Sequence, residues 1–141
     1  MEYDRVLSSL EAVRTVNKEF LAQHEEMLME FYLKEEKTAE ESLEEEILLE
    51  LTDKIARICC VIDYMKKEIV YDGNLNLDTN GNVMYGQNVL SALQEIEVYI
   101  YDEEAEKEVW TRTYVGIGSK PYLVGLNKNI KIQGLKVRIR E

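Results

Sequence analysis

The chain has 141 residues, 45% of them hydrophobic, and carries 28 acidic against 17 basic side chains, a formal net charge of −11. This composition is ordinary for a folded protein of about one domain's size and excludes two large cores. No apolar run approaches the ~20 residues of a bilayer span, and the first ten residues lack the basic and apolar regions of a signal peptide. We therefore expect a cytoplasmic protein without membrane contact.

The charge is unevenly distributed along the chain. Residues 1–68 carry nine basic and eighteen acidic side chains, whereas residues 69–141 carry eight and ten. From Arg112 to Arg140 there are seven basic residues and no acidic one, and the preceding segment 95–108 is rich in glutamate. This pattern indicates either a basic and an acidic face or opposite charges on neighbouring antiparallel strands. We favour the second interpretation, because cross-strand ion pairs are a common stabilising device.

The first 68 residues contain no glycine or proline, and their apolar positions recur at alternating spacings of three and four. This spacing predicts an amphipathic helix of about 30 residues, near 45 Å long. The same spacing recurs from Leu48 to Ile69 in a second helix, and Thr38 with Glu41 matches the capping box that begins a helix, so the chain is expected to turn near residues 34–38. We predict an antiparallel helical hairpin over residues 1–68. The predicted seam of its first helix comprises Val6, Leu10, Val13, Asn17, Phe20, His24, Met27 and Phe31, flanked by Leu7, Leu21 and Leu28.

The apolar stripe of the first helix is wider than a two-helix seam requires, so another surface must cover it. The second half of the chain or another copy of the hairpin could do so, and we favour self-association, with a dimer as the expected state. Asn17 and His24 lie one heptad apart in the seam. They are either a buried polar pair that titrates or binds a ligand, or residues that fix the register of the helices. We favour the second role.

From about Tyr71 the pattern changes to short alternating stretches separated by glycines. Asn80-Gly81 is a strong hairpin signal. Further strands are predicted in "EIEVYIYD", "VWTRTYVG", "PYLVGL" and "LKVRIRE". Two segments are left open: "NIKIQG" either adds a further short strand or does not, and "QNVLSALQ" is either a helical turn or a loop. Five or six antiparallel strands predict a small SH3-like β-barrel or rolled sheet over residues 69–141. The expected class is α+β.

Signals for catalysis are weak. "DTNGN" lacks the ligand spacing of an EF-hand, and "GIG" lacks the third glycine of a dinucleotide fingerprint. Cys59 and Cys60 are adjacent on a helix, and their side chains diverge by roughly 100°, so they suit neither a chelate nor a disulfide. His24, the only histidine, lies in the helical seam. We predict no catalytic, cofactor or metal residues, and reduced thiols.

One stretch concentrates aromatic and basic side chains. Such residues on a small barrel can stack bases and pair phosphates, or they can form a groove for extended peptides. Alternatively, Trp110 and Tyr122 fill the core, which is the interpretation we favour. The net charge of the chain opposes the nucleic-acid role. The candidate contact residues are Trp110, Arg112, Tyr114, Lys120, Lys136, Arg138 and Arg140.

The second half contains Gly73-x-Leu75, Asn80-Gly81, Ile96-Glu97-Val98, Trp110-x-x-Thr113, Tyr122-Leu123-Val124-Gly125 and Gly134-Leu135-x-Val137-Arg138. In this succession, residues 70–141 resemble a family of small domains of unknown function from Firmicutes, often encoded on phage, plasmid and conjugative elements. The chain departs from the family where Arg112 precedes Thr113 and where Pro121 replaces an aromatic. The resemblance implies a bacterial mobile-element origin and a small β-fold, with no activity assigned.

The expected protein is thus a non-enzymatic interaction or structural module that oligomerises through its helices and has a protein partner. The alternative is a nucleic-acid-binding accessory protein of a phage or mobile element that uses residues 110–140.

Overall fold

The computed structural model describes residues 2–141, which form two helices followed by strands, the α+β class expected from the sequence. The chain divides into two compact units, Met1–Lys66 and Lys67–Glu141, with the helices in the first and the strands in the second. The elements are α1 (Glu2–Leu33), α2 (Ala39–Lys66), β1 (Ile69–Leu77), β2 (Val83–Tyr85), β3 (Asn88–Val89), β4 (Glu95–Asp102), β5 (Lys107–Gly116), β6 (Tyr122–Leu123) and β7 (Lys136–Arg140).

Thr38 caps the start of α2. The backbone N–H of Glu41 donates to Oγ1 of Thr38 at 3.1 Å, and the N–H of Ser42 donates to the Thr38 carbonyl at 3.0 Å. The side chain of Thr38 therefore satisfies one of the N–H groups that a helix start leaves without an intrahelical partner. The carboxylate of Glu41 accepts a hydrogen bond from the ammonium group of Lys34, near the end of α1.

Ion pairs join the two helices at both ends. Arg14 and Lys18, near the middle of α1, both contact Asp63 near the end of α2, and the distance from Lys18 to Asp63 is 3.6 Å. Lys66 contacts Glu11 in the same region. The Lys34–Glu41 pair joins the opposite ends, where the chain turns. The start of α1 therefore lies beside the end of α2.

The helices contact each other along a heptad row of α1 that differs in part from the predicted seam. No residue of α1 is fully buried. The half-buried positions are Leu7, Leu10, Glu11, Arg14, Asn17, Leu21, His24, Leu28 and Phe31. The remaining members of the predicted seam, Val6, Val13, Phe20 and Met27, are exposed. Half of the predicted seam thus faces solvent rather than α2.

The strands form one antiparallel sheet in the order β3-β2-β1-β7-β4-β5-β6. The predicted SH3-like barrel is not formed, because within residues 2–141 the two outermost strands β3 and β6 do not pair with each other. Each of these strands has only two residues, too few for a ladder that would close the sheet. The sheet therefore has two ends and a gap between them.

The predicted hairpin at Asn80-Gly81 connects β1 to β2. Gly81 has a φ of 81°, which a residue with a Cβ rarely adopts. The carboxylate of Asp78 accepts hydrogen bonds from the backbone N–H groups of Asn80 and Asn82, at 2.9 and 2.8 Å. This network orders the turn and fixes the register of Leu77 opposite Val83.

The core of the β-unit lies on one face of the sheet and is made of aliphatic side chains. Alternate residues of the central strands point into it, and loop residues cover it. Its members are Leu75, Val83, Leu90, Ile96, Val98, Val115, Leu123, Ile132, Val137 and Ile139. Backbone hydrogen bonds between Glu68 and Glu141, at 3.2 and 3.1 Å, extend the β1–β7 ladder to the last residue.

Candidate interaction surfaces

Six of the seven candidate contact residues lie on one face of the sheet. On β5, Trp110, Arg112 and Tyr114 alternate with Thr113 and Val115, which are buried in the β-unit. On β7, the basic residues alternate in the same way with Val137 and Ile139 of the core. Since successive side chains point to opposite faces of a sheet, these residues point away from the core. We call this surface the outer face; it comprises Asp72, Glu95, Glu97, Tyr99, Trp110, Arg112, Tyr114, Lys136, Arg138 and Arg140.

The centre of the outer face is a cluster of two aromatic rings and two cations. Tyr99 and Trp110 are directly opposite each other on β4 and β5, with ring centroids 5.0 Å apart. The ammonium group of Lys136 lies 5.1 Å from the centroid of Tyr99 and 5.6 Å from that of Trp110. The guanidinium carbon of Arg138 lies 4.1 Å from the Trp110 centroid. The chain's own cations therefore cover ring surface that a base-stacking platform would offer to a nucleic acid.

Each arginine of the outer face contacts an acidic residue on a neighbouring strand. Arg138 lies 3.3 Å from Asp72, and Arg112 lies 4.0 Å from Glu95. Arg140 contacts Glu97. The basic run at the end of the chain thus meets the acidic strand β4, as the interpretation of cross-strand charges predicts.

Trp110 and Tyr122 do not fill the core, contrary to the favoured sequence interpretation. Trp110 is half-buried on the outer face, and Tyr122 is 36% exposed on β6. The aliphatic residues of the sheet and of its covering loops are sufficient to form the core. The Tyr122 ring lies instead against the backbone of Gly116, where a Cβ atom would come within 2.5 Å of it.

The helical unit exposes a largely apolar row on each helix, and on α2 Lys54 interrupts this row between Leu51 and Ile58. On α1, the exposed apolar row and Lys18 lie on opposite sides of the surface that contacts α2, as helical spacing requires. On α2, the exposed apolar row and Asp63 likewise lie on opposite sides of the surface that contacts α1. Because Lys18 and Asp63 contact each other, both rows lie on the other side of the helix pair. We call this surface the apolar flank; its residues, 38% to 56% exposed, are Val6, Val13, Phe20, Met27, Ile47, Leu51 and Ile58.

The side of the helix pair that carries Lys18 has a groove of about 820 Å³. Leu21, Leu28 and Met29 from α1 and Leu49 from α2 line it, together with the charged residue Glu25 and with Lys18 itself. The helices thus expose apolar side chains on two sides, and charged residues lie on both: Lys18 and Glu25 at the groove, and Lys54 within the apolar flank.

A larger cleft of about 1070 Å³ lies in the β-unit, where the sheet fails to close. Val89 of β3 and Tyr122 of β6 line it from the two ends of the sheet. Lys120, the seventh candidate residue, is in this cleft and apart from the other six. The sequence analysis missed the cleft, although the absence of acidic residues between Arg112 and Arg140 was a visible signal.

Within residues 2–141, no three histidine, cysteine, aspartate or glutamate side chains cluster as a metal site would require. Cys59 is buried and Cys60 is exposed, and both are free thiols. His24 lies beside Phe20, with ring centroids 4.7 Å apart. None of the helices described is sufficiently long and apolar to cross a bilayer.

Comparisons of the chain with family models, curated proteins and solved structures find no match. The resemblance of residues 70–141 to the Firmicutes domain family therefore stays a prediction.

Proposed function

We infer that this protein is a non-enzymatic interaction module that self-associates through an antiparallel hairpin of α1 and α2. The ion pairs at both ends of the helices support the hairpin, since they join Glu11 to Lys66 and Lys34 to Glu41. The observation that carries the proposal is the apolar flank, whose seven defining residues are exposed and apolar in a chain of which 32% is charged. The expected assembly is a dimer in which two hairpins form a four-helix bundle.

The two rows of the apolar flank differ in length. At 1.5 Å per residue, the row from Val6 to Met27 spans about 31 Å and the row from Ile47 to Ile58 spans about 16 Å. With a width of about 10 Å per helix the flank presents roughly 470 Å², so two copies would bury about 900 Å². This area is typical of a weak, concentration-dependent interface. A two-fold axis would place the same surface on both sides of the interface.

Light scattering coupled to size exclusion at micromolar concentration tests the proposal. We expect twice the chain mass of 16.5 kDa for the wild type. Phe20→Glu places a charge in the apolar flank and should yield a monomer. Met29→Glu is the matched control, because Met29 is 57% exposed on the same helix but lines the groove. A monomeric wild type contradicts the proposal, and loss of the dimer in Met29→Glu alone assigns the interface to the groove.

Nucleic-acid binding through residues 110–140 has less support. The cluster of Trp110 with Arg138 favours it, but Arg112, Arg138 and Arg140 each contact a carboxylate. A phosphate backbone would have to compete with these internal pairs. Fluorescence titration with single- and double-stranded oligonucleotides at ~50 mM salt, where electrostatic affinity is favoured, tests this role.

A further inference from the structure

The cleft in the β-unit has an unusual charge for this chain. Lys120, Lys128 and Lys131 line it, whereas none of its 23 lining residues is acidic. Acidic residues outnumber basic ones by 28 to 17 in the whole sequence, so an average surface would carry more carboxylates than ammonium groups. In residues 2–141, no ion pair joins any of the three lysines to a carboxylate. Their charges are available to an anionic partner.

The cleft also has a fixed aromatic wall. The ring of Tyr122 packs on Gly116 and Gly118, where added Cβ atoms would lie 2.5 and 3.5 Å from it. The ammonium group of Lys128 lies 5.8 Å from the centroid of this ring. Glycine at position 116 thus permits Tyr122 to lie against the backbone, and Tyr122 in turn contacts a lysine of the cleft.

Aliphatic side chains are exposed around the same lysines. Ile117 is 82% exposed, Val89 is 55% exposed and Leu77 is 40% exposed, and all three line the cleft. The buried residues Val83, Val115 and Ile132 lie deeper in it. The cleft therefore offers apolar contacts between positive charges, and its volume slightly exceeds the usual range of small-molecule pockets.

From this arrangement we propose that the cleft between β3 and β6 binds an acidic peptide segment that also contains apolar residues. Carboxylates of the peptide pair with Lys120, Lys128 and Lys131, and its apolar side chains contact Val89 and Ile117. The partner is supplied by another protein. This surface is separate from the apolar flank, so it adds a binding role to the proposed self-association.

The chemistry of the cleft favours a peptide over a nucleic acid. Tyr122 is the only aromatic residue that lines the cleft, so successive bases would find no series of rings to stack on. No arginine lines it, although arginine is the residue that pairs phosphate in bidentate geometry. The exposed aliphatic side chains suit apolar residues of a peptide and have no counterpart on a phosphate backbone.

Selection from a displayed library of random 12-residue peptides tests the proposal with the full chain. We expect the enriched peptides to contain more aspartate and glutamate than the starting library, together with apolar residues. Fluorescence anisotropy then measures the affinity of one labelled peptide. The triple variant Lys120→Gln, Lys128→Gln and Lys131→Gln should weaken binding about tenfold, since it removes three exposed charge pairs.

A charge-matched control separates the cleft from the net charge. The triple variant Lys54→Gln, Lys67→Gln and Lys107→Gln removes the same charge from exposed positions outside the cleft. It should bind the peptide within about twofold of the wild type. Equal weakening in both triple variants contradicts the proposal, as does a selection that enriches no peptide or only non-acidic ones. The monomeric Phe20→Glu variant should retain binding, so a failure of self-association is a separate result.

A 12-nucleotide oligo-dT is the competing probe. If it binds more tightly than the selected peptide and loses affinity in the cleft variant, the cleft is a nucleic-acid site and the proposal is wrong. Thermal unfolding of both triple variants verifies that they are folded.

Discussion

The guanidinium group of Arg138 lies over the ring of Trp110, 4.1 Å from its centroid, and bonds Asp72 at 3.3 Å. One side chain on β7 therefore joins the neighbouring strand β1 to a ring on β5, across β4. Contacts of this kind join the strands to each other on the outer face.

We expect Arg138 and Trp110 to stabilise the β-unit jointly. A double-mutant cycle with Arg138→Met and Trp110→Leu should give a coupling energy of about 0.5–1 kcal/mol, the usual range for an exposed cation–aromatic contact. Urea unfolding measures the four stabilities. Lys107→Met combined with Trp110→Leu is the control, because Lys107 lies on the same strand away from the ring. Equal coupling in the two cycles contradicts a specific contact.

Thr113 is the only buried polar residue of the described chain, and its hydroxyl donates to the Val124 carbonyl at 2.8 Å. Thr113→Val leaves this carbonyl without its donor and should reduce the free energy of unfolding by about 1 kcal/mol. Thr111→Val is the control, since no hydrogen bond from the Thr111 hydroxyl is found in residues 2–141. If urea unfolding shows a larger loss of unfolding free energy for Thr111→Val than for Thr113→Val, the proposed role of the Thr113 hydroxyl is wrong.

Gly116 should tolerate no side chain while Tyr122 is present. A Cβ at this position would meet the Tyr122 ring at 2.5 Å, so Gly116→Ala is expected to lower stability by about 1–3 kcal/mol. Gly118→Ala, where the nearest ring atom is 3.5 Å away, should cost less. In a Tyr122→Leu background, Gly116→Ala should destabilise the protein less. If thermal unfolding shows the same destabilisation with and without Tyr122, the ring is not the cause of it.

The contact between Arg14 and Asp63 should make the stability of the helices dependent on pH. The hydrogen bond from Arg14, aided by its charge, lowers the pKa of Asp63 below its ordinary value of 3.8. Because the folded state binds this proton more weakly than the unfolded chain, the contact stabilises folding above about pH 3.8. That stabilisation is lost as the pH falls through the folded pKa.

Thermal unfolding of the wild type and of Asp63→Asn at pH 7 and pH 3 measures this effect. The midpoint of the variant should lie below that of the wild type at pH 7, and the difference should shrink at pH 3. Asp53→Asn, an exposed change on the same helix, is the control. The interpretation fails if the difference between wild type and Asp63→Asn is the same at both pH values.

Local signals in the sequence predicted local structure well. Thr38 caps α2 and Gly81 forms the β1–β2 turn, because both depend on residues within a few positions along the chain. The sequence pattern left open whether the segment around Ile132 forms a short strand. Ile132 is indeed buried, but its segment forms no strand in the described chain. Burial followed from the apolar pattern, whereas strand formation required a partner that the sheet does not provide.

The face that Trp110 occupies could not be read from its size. In "VWTRTYVG" both alternating sets contain large or β-branched residues, so either set could face the core. The register with β4 decides, because it places Trp110 opposite Tyr99 and Thr113 opposite the buried Ile96. In the same way, the seam of α1 included Phe20 and Met27 because periodicity does not tell which part of a wide stripe α2 will cover.

The hydrogen bonds between Glu68 and Glu141 bring the two ends of the β-unit together. A segment whose ends meet can be inserted into a loop of another protein without stretching its host. We therefore expect residues 67–141 to fold when they are inserted into a loop of a host protein. A circular permutation that joins the two ends should need only a short linker. Any residues fused after Glu141 would emerge beside Glu68, at the start of the β-unit.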